Sequence, residues 1–182
     1  MLRTRRRWWL ALGLSATLAA SLSACGADRV ETVAREDALG LLNEHLTEAV
    51  TCLTSMAAQL DPADTSEELA NILSDCGNTT PLNKDDDQII EEGLGRRANV
   101  IHSGTTVGDH IVLHVMTTGT GHAQAGVANA RAYVVTCWQV TIDPGANVLA
   151  DYADSACNDA ILLLYNPYAE QVPFSDLHVP GV

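Results

Sequence analysis

The residues best equipped for chemistry in this chain are its histidines. His110-Ile-Val-Leu-His114 has the spacing that sets two imidazoles on one face of a helix, where they can share a zinc ion. The intervening residues are Ile111, Val112 and Leu113, which favour a strand. A strand would hold His110 and His114 ~13 Å apart, at ~3.3 Å per residue, too far for one ion. The glutamate that zinc proteases carry after the first histidine is Ile111 here. A looser arrangement places His102 opposite His110 across a hairpin closed by residues 103–109, with His122 from the next loop nearby. Two or three such imidazoles would suit zinc or copper. Solvated histidines at loop ends are the simpler reading, so no metal and no cofactor is assigned to His102, His110 or His122. No Gly-x-Ser-x-Gly elbow, Ser-x-x-Lys pair or phosphate-cradling glycine loop occurs. The acidic run Asp85-Asp86-Asp87 fails as a calcium loop starting at Asn83, because Gln88 and Leu94 stand where glycine and glutamate are needed. No catalytic residue is assigned.

The elements that would position these groups are legible from periodicity. Leu39, Leu42, Leu46, Ala49, Leu53, Met56 and Leu60 recur at steps of three and four, the stripe of a long helix over residues 32–60. Asp61-Pro62 ends it. Thr65 and Glu68 have capping-box spacing for a second helix with Leu69, Ile72, Leu73 and Cys76 on one face and Gly77 as its C-cap. The two should form an antiparallel hairpin. Residues 84–94 read as a short third helix capped by Asn83, with the aspartates at its positive end. From residue 98 the period changes to two. A strand spans Ile111, Leu113 and Val115, and a longer one runs from Arg131 to Ile142. The latter carries Val134, Thr136, Trp138, Val140 and Ile142 on one face and Tyr133, Val135 and Cys137 on the other. Residues 119–130 read as a glycine-containing loop between them. Asp143-Pro144-Gly145 reads as a type II turn, and 161–165 as a buried strand. Residues 166–182, with three prolines and no period, read as an irregular tail. Helices first and strands afterwards imply an α+β domain, a helical hairpin packed on an antiparallel β meander. The layout is similar to cystatin-like and NTF2-like folds, an analogy of fold that carries no function.

The first residues set the compartment. Arg3, Arg5, Arg6 and Arg7 precede an apolar run, residues 8–24, which is the shape of a secretory signal. Ser15, Thr17, Ser21 and Ser23 break that run, leaving it short of the ~20 predominantly apolar residues of a spanning helix. Thr4 to Trp9 also look like a twin-arginine export signal. Leu22 stands three residues before a cut after Ala24, too large for an ordinary signal peptidase. Leu22-Ser23-Ala24-Cys25 instead resembles the lipobox of bacterial lipoproteins, position by position. The resemblance implies that Cys25 receives a diacylglyceryl group on its sulfur and becomes the mature N-terminus. Two acyl chains give stable attachment where one gives only reversible binding. It also implies a chain held at the outer face of the cell membrane. One lysine, one phenylalanine and abundant alanine are similar to actinobacterial envelope proteins in composition.

The domain lines follow: a signal peptide over 1–24, a lipidated tether over 25–31, one α+β domain over 32–165 and the tail. Cleavage removes the four signal arginines and leaves six basic residues against 23 acidic ones, a formal charge of −17. Phosphate binding needs basic patches, so a nucleic-acid partner is disfavoured. Beyond the membrane, a cationic or neutral protein or cell-wall partner fits better. Four cysteines remain after Cys25, and in an exported chain an even number reads as disulfides. Counting outward from the helical turn pairs Cys52 with Cys76, and Cys137 with Cys157 would tie the long strand to the segment after it. The reading that emerges is a lipid-anchored extracytoplasmic binding or interaction module of a bacterial envelope. The alternatives are a small envelope hydrolase or metal-dependent enzyme using histidines and carboxylates, or a structural or export accessory protein.

Overall fold

The computed structural model describes residues 28–94, 97–146 and 148–179, with helix α1 assigned over Arg6–Met56. The leader 1–24 and the Leu22–Cys25 motif lie outside the described residues. The chain is α+β: α1 continues into a 3-10 turn at Ala57–Gln59, then α2 (Ser66–Leu73) and α3 (Asp86–Glu92) precede the sheet. Strands β1 (Asn99–Val107), β2 (His110–Ala125), β3 (Ala128–Asp143) and β4 (Val148–Asp154) form an antiparallel meander in chain order. Helix α4 (Asp159–Tyr165) follows, and β5 (Glu170–Gln171) adds to β3 in parallel. Among the described residues no helix is long and apolar enough to cross a membrane.

Sequence explains the main packing. In α1, Val30, Ala34, Ala38, Leu42, Leu46, Ala49 and Leu53 are buried, one face in steps of four and three that Ala57 of the 3-10 turn continues. Leu39 and Met56 only flank this stripe. Packing here is backbone to backbone. A Cβ on Gly119 would lie 2.2 Å from the Ala38 carbonyl oxygen, and one on Gly121 1.9 Å from that of Ala34. The main core lies between α1, α2 and the sheet and holds Leu69, Leu73, Ile111, Leu113, Val115, Trp138, Val140 and Ile142. Inside it runs a chain of hydrogen bonds. Trp138 Nε1 donates to Thr117 Oγ1 at 3.0 Å, that hydroxyl to Asn99 Oδ1 at 2.8 Å, and Asn99 Nδ2 to the His45 carbonyl at 3.1 Å. It ties three strands to α1 with the buried indole satisfied.

The opposite face of the sheet is also covered. Ile89 of α3 and Ala160 and Ile161 of α4 pack on Val100, Met116, Val135 and Cys137. The helices thus lie on both faces, with two short ones on the side the periodicity left unassigned. Disulfides Cys52–Cys76 and Cys137–Cys157, with Cα–Cα distances of 5.4 and 5.2 Å, staple α1 to the end of the α2 segment and β3 to the approach to α4.

Several local expectations change. Residues 161–165 are helical because Asn158 caps the Ile161 N–H, a signal that outweighs the apolar run. Asp85, not Asn83, caps α3, in a reciprocal box with Gln88. Asn83 takes a left-handed φ of 57° and pairs with both backbone groups of Gly104 instead. Ser74, not Gly77, ends α2. Gly77 lets the chain pass β1, since a Cβ there would lie 2.9 Å from the Asn99 carbonyl oxygen. Residues 119–130 are not a loop. Both strands continue to a two-residue turn, Gly126-Val127, with φ of 59° at the glycine. Gly145 lacks the positive φ a type II turn needs, and Asp143 Oδ1 instead accepts from the Ala146 N–H. The segment after residue 165 is built into the fold. Phe174 stacks on Trp138 at a centroid distance of 5.4 Å, and Val179 is buried. Likewise α1 is already packed at Val30, inside the stretch expected as a tether.

Candidate binding groove

The sheet leaves one edge for a groove. Strand β1 begins at Asn99, so β2 beyond Thr117 has no regular partner on that side. The edge groups are met piecemeal. The Thr118 N–H donates to the Ala98 carbonyl, the Thr118 carbonyl oxygen lies 2.7 Å from His45 Nδ1, and the His122 N–H donates to Asp37 Oδ2. Because that carbonyl only accepts, His45 carries its proton on Nδ1. α1 therefore guards an edge that would otherwise recruit another strand.

Between this edge, α1, α4 and the connection after α3 lies a cavity of about 330 Å³. Its walls are Leu41, Leu94, Val100, Met116 and Leu164, with Thr118, Thr120 and Tyr165 as the polar points. Thr120 Oγ1 and the Tyr165 hydroxyl are 3.1 Å apart. A second cavity of about 300 Å³ shares His45, Arg97 and Ala98 and continues past Glu48 and Asp75 to the Cys52–Cys76 disulfide. Arg97 stands at the junction, its guanidinium donating to the Ser74 and Asp75 carbonyls. The size matches the lower end of small-molecule sites, as does the mix of apolar walls with a few hydroxyls. His45 is committed to the sheet edge, and among the residues that line the groove no hydroxyl is hydrogen-bonded to a basic side chain. The lining offers apolar walls, a few hydroxyls and one guanidinium.

The expected histidine set does not converge. The β1–β2 turn is Gly108-Asp109, so His110 pairs with Val107 at the hairpin end. A register shift between Ile101 and Ser103 brings His102 to His114, with ring centroids 6.0 Å apart. His122 lies twelve residues from His110 along β2, ~40 Å at ~3.3 Å per residue. Among the described residues no three His, Cys, Asp or Glu side chains group where they could hold a metal ion. The His102–His114 pair still has character. His102 is largely buried, its Nε2 has no hydrogen-bond partner, and burial first and His114 second push its pKa down to about 4. His114 Nδ1 lies 2.9 Å from Ser155 Oγ. His110 lines an open cleft between two hairpin turns with Asp109 and Asp143, where Asp143 caps its own turn.

Residues that sequence reasoning missed are His45, Arg97, Thr118, Thr120 and Tyr165. Alternation along β2 does place Met116, Thr118 and Thr120 on one face, the only trace of the groove in the sequence. Its other wall comes from α4, a segment read as a strand. The chain matches no protein-family model, no curated protein and no solved structure.

Proposed function

We propose that this protein is a lipid-anchored binding module on the outer face of a bacterial cell membrane, which takes a small, largely apolar ligand in the groove beside α1. The lipobox-like Leu22-Ser23-Ala24-Cys25 supports the anchor. The observation that carries the binding reading is the groove itself: apolar walls, three hydroxyl-bearing side chains and one fixed guanidinium, with no convergent acid and base. A cavity so lined favours an amphipathic molecule whose anionic or hydroxylated end reaches Arg97. The runner-up, a small envelope hydrolase, would work in the cleft of His110, Asp109 and Asp143, but that cleft is wide and shallow, and one of its carboxylates is engaged by the turn.

The test is titration of an anionic apolar fluorophore, anilinonaphthalene sulfonate, into the detergent-extracted chain below the dye's own micellisation. Saturable one-to-one binding that is lost in Leu164→Asp and weakened in Arg97→Gln supports the groove. Binding indifferent to Leu164→Asp overturns it.

A further inference from the structure

The register between α1 and β2 fixes which end of the sheet lies nearest Asp28, where the described residues begin. Gly119 sits against Ala38, and Gly121 against Ala34. Two strand residues cover ~6.6 Å and four helical residues ~6 Å, so helix and strand run level in opposite directions. Extended by the same steps, Ala123 is level with Val30, and Gln124 with Asp28. The hairpin tip, Gly126-Val127, therefore projects ~10 Å past Asp28. Cys25 is three residues before Asp28, so it too lies within ~10 Å of it, whatever path the chain takes. The turn and the cysteine share one end of the molecule.

That end has an unusual surface. Val127 is fully exposed, at 103% of its reference area, with the pair Ala125 and Ala128 flanking the turn and the pair Ala123 and Ala130 further down the hairpin. Among 23 acidic residues in the chain, none falls between Asp109 and Asp143, so the hairpin itself carries no acid in its outer half; the acids level with it, Asp28 and Asp37 among them, belong to α1 and lie behind the tip. Its one cation, Arg131, is level with His122 and donates to His122 Nδ1 at 3.1 Å, ~16 Å back from the tip. Tyr168, 92% exposed, lies at the same end, because β5 runs parallel to β3 and Glu170 pairs with Val134. An apolar tip, a belt of small residues and amides, and an arginine and a tyrosine behind it match the succession of acyl chains, interface and headgroups in a leaflet.

We propose that the β2–β3 hairpin end is a second, shallow membrane contact: Val127 enters the outer leaflet beside the lipid on Cys25, and Arg131 meets lipid phosphates. The inference rests on the anchor reading above. Its consequence is orientation. A single flexible lipid leaves a domain free to tumble, whereas two contacts hold the long axis of α1 upright and the groove some distance from the bilayer.

The experiment places a tryptophan at the tip. The full chain carrying Val127→Trp is purified from bacterial membranes, its mass is measured intact, and it is reconstituted in phosphatidylcholine vesicles with brominated acyl chains. Trp138 is buried under Phe174 and supplies a constant background. Removal of the leader also removes Trp8 and Trp9. The added emission should shift to shorter wavelength and fall by roughly half with brominated lipid. Val107→Trp, at the opposite hairpin end, should stay unquenched. An acylated Val127→Trp chain that is not quenched overturns the membrane contact and leaves the anchor standing. A chain whose mass shows no acyl group on Cys25 overturns the anchor, and the contact with it. Equal quenching at residues 107 and 127 also overturns the contact, because it means a domain lying flat.

Discussion

Acidification from pH 7 to pH 4 should destabilise this protein chiefly through His102. The imidazole is buried beside His114, and its pKa is held down to about 4 against an ordinary 6.5. Between those values the unfolded chain binds a proton that the folded chain refuses. The stability attached to this group is therefore whole above pH 6.5, drains as the pH falls through the window, and is gone below about 4. At ~1.36 kcal/mol per pKa unit the gap corresponds to about 3 kcal/mol, a large part of a typical 5–15 kcal/mol. Urea midpoints followed by Trp138 emission at several pH values, for wild type and His102→Gln, measure it. Glu68, Asp154 and Glu170 also have lowered pKa values, through hydrogen bonds from Thr65, Ser175 and Arg35. They lose their contributions at lower pH and do so in both proteins, so the difference between the two curves isolates His102. Parallel curves between pH 7 and 4.5, or a His102 ring proton titrating near 6.5 by NMR, would refute the reasoning.

Three other perturbations follow from the packing. Gly121→Ala should lower stability by about 3 kcal/mol or abolish folding, because its Cβ has no room before the Ala34 carbonyl; a fall in Tm on thermal melting checks it, and an unchanged Tm contradicts the close approach. Phe174→Ala should cost about 3 kcal/mol and open the C-terminal segment, read as new proteolytic cleavage between residues 166 and 179, since that ring stacks on both Trp138 and Tyr152. Replacing Cys52 and Cys76 together by alanine should cost about 3 kcal/mol in chemical denaturation, from the unfolded-state entropy of a loop with 24 residues of separation.

Much of the fold was legible where a pattern is long. The stripe of α1, the capping box at Thr65 and the two faces of β3 all appear in the sequence because each is a local period or pairing rule. Short segments were not. Ile161–Tyr165 is apolar throughout, so period cannot distinguish helix from strand, and the deciding residue is the Asn158 cap just outside it. The hairpin at 119–130 looked like a loop because its glycines suggested turns. Gly119 and Gly121 are there for a tertiary reason, the closeness of α1, which no local rule encodes. The groove was hidden for a related cause. Its walls come from α1, the connection after α3, β1, β2 and α4, and its shape depends on where β1 begins. The histidine set failed because the β1–β2 turn is only Gly108-Asp109, which sends His110 to Val107, and because β2 runs on to Ala125 and carries His122 away.

The partners of α1 arrive late. Asp37 and His122 are 85 positions apart, and Ala34 and Ala38 likewise wait for Gly119 and Gly121. A ribosome adding ~5–20 residues each second leaves the greasy side of that helix bare for several seconds. Of the first hundred residues, only α2 and the segment after it pack on that side, at its C-terminal end. The N-terminal half of that face thus stays uncovered until β2 and β3, which end at Asp143, have been delivered. Any truncation ending before β2 removes Gly119, Gly121 and His122 and leaves the N-terminal half of that face permanently uncovered, as prey for proteases.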